Sequence, residues 1–318
     1  MQRFLIQRLL LLIPTLLLAS VLIFAIIELA PGDPAQMMLG TDATPEQVAA
    51  ERVRLGLDRP IPVRYLIWLG DVSHLNLGVS LVYDRPVSAL VLEAFPNTLR
   101  LALSALVIST LIGFPLGVVS ALRQNRPIDF LVTSFASLGL AVPSFWLGIM
   151  LILFFSVDLK WLPPSGAGDP DQGLLAAVSF LVMPVATIAV SNLAVYARFV
   201  RSSMIDVLTA DFVRTARAKG LRESVVVYRH ALRNALIPVV TILGIQFGRL
   251  LGGAVITEAV FAYPGIGRLV VTSILNRDYP VVQATLMLVV IVFLLTNIVV
   301  DMSYAFLDPR LNLGGTSR

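Results

Sequence analysis

Nucleotide hydrolysis, metal chemistry and nucleophilic catalysis each demand particular residue types at particular spacings, and this chain offers none of the three sets. A phosphate-cradling loop places lysine directly after glycine, so that backbone amides hold the phosphates while the ammonium neutralises them. Here Lys160 follows Leu159 and Lys219 follows Ala218. His74 and His230 lie far apart and form no metal-ligand pair, and the chain has no cysteine to supply a thiolate. A membrane aspartyl site needs paired aspartates at bilayer depth, and a serine-type site needs a base beside the membrane; neither is present. The chain is therefore expected to hold no catalytic residue, no metal and no cofactor of its own.

What the sequence does offer is a charge at bilayer depth. Arg249 lies in an apolar run with Gln246, Gly253 and Thr257 at spacings of three and four, which is one face of a helix. Ionisable residues within spans are costly and are functional candidates by default. On that reading the stripe lines a water-filled translocation path, where Arg249 meets an anionic group of the cargo or closes a gate. The structural alternative pairs Arg249 with an acidic residue of a neighbouring helix. Gly244, Gly248 and Gly252 repeat every four residues on an adjacent face and permit close helix packing. Glu28 and Glu258, near the ends of their runs, read as boundary residues rather than binding groups. Pro143-Ser144 and Pro184 free backbone groups and can kink their helices.

The elements that position these residues are membrane spans. Of 318 residues, 57% are hydrophobic and 14% charged, against about 25% charged in a soluble domain, and the mean hydropathy is +0.85. The net charge of +4 is no nucleic-acid signal, because the basic residues concentrate in short loops beside apolar runs. Six runs reach the roughly 20 residues needed to cross the hydrocarbon core: Leu9–Leu29, Thr98–Leu122, Phe130–Val157, Leu174–Tyr196, Ala235–Phe261 and Val281–Phe306. The first exceeds a signal-peptide core of about 7–15 residues and has no clean cleavage site after it, so it reads as a retained span. An all-α membrane protein of six helices follows. Both termini then share one side with Arg3, Arg8, the Arg123–Arg126 loop, the 198–233 segment, Arg310 and Arg318, which the positive-inside rule makes cytoplasmic.

Three divisions are expected: residues 1–29, an extracytoplasmic subdomain at 30–97, and a core at 98–318. In the second, Thr44-Pro45-Glu46 starts a capped helix. Residues 62–75 carry helical spacing, with Tyr65 and Trp68 as interfacial anchors. The loops at 158–173 and 262–280 are rich in turn signals, Tyr263-Pro264-Gly265-Ile266-Gly267 among them.

Between the fourth and fifth runs lies a basic insertion, with eight Arg/Lys against three Asp/Glu from Arg198 to Arg233. Leu208 and Phe212 are spaced to share a helical face, Gly220 permits a left-handed turn, and Glu223–Arg233 resumes a helix with Tyr228 and Leu232 on one side. An element that joins two spans passes any rotation forced on it to both, and the predicted coupling loop is 198–234.

This arrangement resembles the "EAA" loop of binding-protein-dependent ABC importer permeases, whose loop docks as a coupling helix on an ATPase subunit. Arg214-Thr215-Ala216, then Arg217-Ala218-Lys219-Gly220, occupy the motif, and Leu236-Ile237-Pro238 the later element; Arg214 replaces the leading glutamate. RTARAKGL followed by RHALRNALIP is similar to the dipeptide/oligopeptide/nickel branch. So are Ala30-Pro31-Gly32-Asp33-Pro34, Leu55-Gly56-Leu57-Asp58, Leu77-Gly78-Val79-Ser80, Pro143-Ser144-Phe145-Trp146, Trp161-Leu162-Pro163, the 261–267 segment and Asp308-Pro309-Arg310. The order matches the first, "B"-type, permease.

The resemblance implies a type I importer fold and a bacterial or archaeal cytoplasmic-membrane location. Its partners are a homologous second permease, two ATPases that bind ATP and Mg, an extracytoplasmic binding protein and lipid. Phe212, Arg214, Thr215, Ala216, Arg217, Lys219, Gly220 and Leu221 would couple to the ATPase. The implied cargo is a di- or oligopeptide, with nickel chelates, glutathione or oligosaccharides as alternatives. Bare nickel is not expected to be coordinated without histidine or cysteine in the spans. A secondary transporter would carry ionisable residues in several spans, and a purely structural subunit would need no polar stripe.

Overall fold

The computed structural model describes residues 2–29, 34–40, 43–168 and 173–307. The 30–33 part of the Ala30–Pro34 motif, the Asp308-Pro309-Arg310 motif and Arg318 lie outside them. In chain order the helices are α1 (Gln2–Glu28), α2 (Pro34–Leu39), α3 (Pro45–Arg54), α4 (Ile61–Ser73), α5 (Val87–Leu122), α6 (Pro127–Ala141), α7 (Ser144–Leu151, continued as a π-helical stretch Ile152–Asp158) and α8 (Leu174–Leu208). After these come α9 (Asp211–Ala218), α10 (Glu223–Val225, continued as π-helical Val226–Ala231), α11 (Leu232–Val260), α12 (Ile266–Leu275) and α13 (Tyr279–Leu307).

Four helical stretches, Leu10–Glu28, Val87–Leu122, Leu175–Leu208 and Tyr279–Val300, are long and apolar enough to cross a membrane. Two bent pairs are apolar and long enough when each is taken as one span, which brings the count to six. Pro127–Ala141 and Ser144–Asp158 meet at 98°, and Ile242–Leu250 and Ala254–Val260 at 42°. The expected single run Phe130–Val157 is thus two half-spans. Pro143 has no N–H to give the helix and forces the preceding Val142 into extended backbone (ψ 122°), so α6 stops there. Pro184, by contrast, stays inside an unbroken α8.

α5 begins eleven residues before the expected span and α8 ends twelve residues after it, so both project beyond the apolar stretch. They pack closely: a Cβ on Gly117 would stand 2.6 Å from the Ala197 carbonyl oxygen, so glycine is required where the two backbones meet. One apolar cluster joins Leu101 and Ala105 of α5, Met183 and Ile188 of α8, Leu250 of α11 and Phe261 just beyond it.

In the 30–97 segment α3 begins as expected. Thr44 accepts from the Gln47 amide while the Gln47 side chain accepts from the Thr44 amide, a reciprocal cap. Tyr65 and Trp68 of α4 do not stand free as interfacial anchors. Tyr65 hydrogen-bonds Ser20 at 2.9 Å, and both rings pack on Phe24 at 5.5 and 5.7 Å, which fastens α4 to α1 together with the Arg64–Glu28 ion pair at 2.6 Å.

Candidate functional site

The basic insertion forms an elbow. Extended backbone at Ala210 ends the line of α8 and starts α9, so Leu208 and Phe212 belong to different helices and do not share a face. Val213 and Ala216 of α9 are buried in a cluster with Val118 and Ala121 of α5, Val200 and Met204 of α8, and Val239 of α11. The opposite face presents Arg214, Thr215, Arg217 and Lys219, with Phe212 45% exposed. Elbow residues of opposite character therefore occupy opposite faces: one side is anchored to three spans and the other is free.

The turn after α9 depends on Gly220, whose φ is +75°, a left-handed conformation that a side chain disfavours. Its amide donates to the Arg217 carbonyl at 2.9 Å. Across the turn the Arg217 guanidinium grips Glu223, Nη2 to Oε1 at 2.7 Å and Nε to Oε2 at 3.2 Å. That hydrogen-bonded cation holds the Glu223 carboxyl below the ordinary carboxylate range. Beyond the turn the chain does not form a separate helix ending at Arg233; it winds through the π-helical stretch straight into α11. The buried side there is Val226, Val227 and Ala231, while Tyr228 is 63% exposed, contrary to the expected Tyr228/Leu232 face. The extra residue per turn of π geometry rotates the side chains away from α-helical positions.

Just above the elbow is a joint that the sequence reading missed. Asp129, in the first turn of α6, accepts from Arg201 of α8 in a fork, Nε to Oδ1 at 2.6 Å and Nη2 to Oδ2 at 2.8 Å. The same carboxylate accepts from Ser120 Oγ on α5 and from the Asn125 amide at 2.9 Å. Three helices meet at one carboxylate. A Pro127 start followed by an acid in the first turn is a helix-start signal, but nothing local points to a partner 72 residues on.

The predicted polar stripe on α11 is divided. Gln246 is buried and donates to Asn192 Oδ1 on α8 at 3.1 Å, and Thr257 is also buried. Arg249 is exposed. It lines a groove of about 370 Å³ with Thr15, Gly248, Gly252 and Phe293, walled by α13. Ile245, Gly252 and Ile256 continue that exposed face. The surroundings of Gly253 and Pro238 fall outside what is described. At 100° per residue Arg249 stands about 60–80° round the helix from Gln246 and Thr257, toward the exposed Ile245 and Ile256, so it falls on the outward edge of the stripe.

At the far end of the bundle, Glu258 lies two residues from the end of α11, as expected of a boundary residue, but is fully buried. It accepts from Thr98 Oγ1 at 2.7 Å and from the Gly267 and Arg268 amides at 2.7 and 3.2 Å, while Thr98 Oγ1 accepts from the Ile266 amide at 2.8 Å. These are the orphan donors at the start of α12, where a negative charge is favoured. Asp278, also fully buried, accepts from Ser80 Oγ and from the Leu81 amide at 3.1 Å, tying the α12–α13 junction to the 74–86 turn. No cluster of three or more His, Cys, Asp or Glu able to hold a metal occurs among the described residues.

Residues 113–313 match the family described as "Binding-protein-dependent transport system inner membrane component", and residues 1–102 match the N-terminal unit of such components. The chain is 43% identical to the glutathione transport system permease protein GsiC of Salmonella paratyphi A, over 98% of this chain and 99% of the relative. It is 38% identical to the dipeptide transport system permease protein DppB of Alkalihalophilus pseudofirmus (96% and 98% covered). It is 39% identical to a probable peptide ABC transporter permease of Sinorhizobium fredii (97% and 98%). Among solved structures, the inward-facing methionine transporter MetNI shares the fold with a TM-score of 0.58 and 20% identity, over 70% of this chain and 98% of that one.

Proposed function

The chain belongs to the binding-protein-dependent transport system inner membrane components, and from that premise we propose that it is the permease through which an external ATPase drives short peptides inward. It pairs with a homologous second permease, receives cargo from an extracytoplasmic binding protein, and is moved by two ATPases that hold ATP and Mg. The elbow and both termini face the cytoplasm of a bacterial or archaeal cell.

The observation that carries this reading is the two-faced α9: Val213 and Ala216 are locked into a cluster shared with α5, α8 and α11, while Phe212, Arg214, Arg217 and Lys219 are exposed, which is the face on which an ATPase would dock. A push on the free face moves three spans together. Thr215, Gly220 and Leu221 shape the same surface. Arg249, on the exposed face of α11, meets an anionic group of the cargo or gates the path; Gln246, Gly253 and Thr257 set the conformation of the helix that carries it. A bare guanidinium facing hydrocarbon is costly, which favours a wet path or the second permease as its neighbour. The relatives' names favour a peptide-class cargo, glutathione included.

Vesicles holding both permeases, the binding protein and the ATPases should accumulate the peptide only with ATP. The same vesicles without ATPases should not; uphill uptake by them would contradict the reading. Gly220→Pro cannot adopt φ +75° and loses the amide bonded to Arg217, so ATP hydrolysis should continue while uptake stops.

A further inference from the structure

We infer that the Asp129–Arg201 pair is the joint through which movement of the elbow is delivered to α6, which makes both of them positioning residues for transport. The inference rests on the proposed ATP-driven reading. α6 is held against α8 along one narrow stripe, with Gly139 at its far end close against Val190 and Ala194. Only Asp129, Ala136 and Gly139 of that helix are buried, a single stripe, while Phe130, Leu131, Phe135 and Leu138 are exposed. Asp129 is the charged member of the stripe and sits at the end nearest the elbow.

Its partner is placed where elbow motion arrives. Arg201 lies two turns before the end of α8, and only Thr209 and Ala210 separate α8 from α9. Val200 and Met204, flanking Arg201 on α8, share the buried cluster with Val213 and Ala216 of α9. A displacement of α9 therefore reaches Arg201 through packed side chains. The forked geometry then matters: two parallel N–H···O bonds resist rotation as well as separation, which a lysine point charge would not. Ser120 and the Asn125 amide hold the carboxylate from the other side, so it cannot swing to follow Arg201 without carrying the start of α6 with it.

The far end of α6 is free to respond. The helix stops at Val142, and Pro143 begins α7 at 98° to it. Gly148 of α7 packs against Phe261, at the end of α11. Rotation entering α6 at Asp129 is thereby led to the junction of α11 and α12. The pair is buried on the carboxylate side, with 4% of the Asp129 side chain exposed, and partly open on the other, with 27% of the Arg201 side chain exposed.

The test uses the full complex in vesicles and reads peptide taken up per ATP hydrolysed. Asp129→Asn keeps the shape and removes the charge; Arg201→Lys keeps the charge and removes the fork. Both variants should assemble and hydrolyse ATP, with uptake per ATP reduced about tenfold, and Arg201→Lys less severely affected than Asp129→Asn. A merely structural pair would lower complex yield, uptake and hydrolysis in proportion and leave their ratio at the wild-type value. That result overturns the inference, as does failure of both variants to assemble, which would make the pair a folding element. ATP-independent uptake by the wild-type vesicles would instead remove the underlying reading, so the two failures are told apart by the wild-type control.

Discussion

The two ends of this bundle each converge on a buried carboxylate, yet they satisfy it differently. Asp129, at the elbow end, is met by a guanidinium fork whose arginine is partly exposed. Glu258, at the far end, is met by a hydroxyl and two amides, with no cation paired to it among the described residues, in a fully buried setting. Backbone donors tie Glu258 to one place at the start of α12, whereas a side-chain fork ties Asp129 to a separate helix 72 residues on. The contrast teaches that the far corner is built as a closed unit joining α5, α11 and α12, and the elbow end as a joint.

The largest effect that sharpens this contrast is expected from Glu258→Ala. It strands buried donors at the start of α12, each worth about 1–3 kcal/mol, so the thermal midpoint of the purified complex should fall by more than for any elbow variant. An elbow variant that destabilises more would break the comparison. Gly267→Ala comes next: its Cβ would press on the Val255 Cα, a backbone atom that cannot step aside, and overpacking of this kind costs about 1–3 kcal/mol. Thermal unfolding of the complex checks it.

Gly220→Ala should be milder. No atom lies within 4 Å of the added Cβ, so only the left-handed backbone is penalised, about 1–2 kcal/mol. The cost should show as faster amide exchange at the elbow with little change in global stability. Smallest is the response to acid at the Arg217–Glu223 bridge. Glu223 is held below its ordinary value by hydrogen bonds from Arg217, so the bridge contributes at neutral pH and is lost as the pH falls below the ordinary carboxylate range. Both groups are largely exposed, so solvent screens the pair and the effect should be confined to elbow exchange rates.

Features decided by neighbours in sequence were legible beforehand. Thr44-Pro45 announces α3 because its cap closes within four residues, and Gly220 announces the elbow turn because its conformation is its own. The helix α12 was read only as a turn, since its first amides are capped by Glu258 and Thr98 from other elements and no local cap marks its start. Asp129 and Arg201 are 72 residues apart and carry no mutual signal until α6 and α8 pack together. The Arg249 stripe misled for a related reason: Arg249 stands about 60–80° round α11 from Gln246 and Thr257, and only packing decides that this edge faces outward while the other two are buried. Long-range pairing and the facing of a helix edge are properties of the packed bundle, not of any one segment.

The central claim is that drive enters at the free face of α9. The chain has no cysteine, so Phe212→Cys introduces a single thiol at the most apolar point of that face. In membranes holding the full complex, a short thiol-to-amine crosslinker should join this position to the ATPase, and a membrane-impermeant reagent applied from outside should not reach it. Labelling from the outside, with no ATPase captured, would contradict the account.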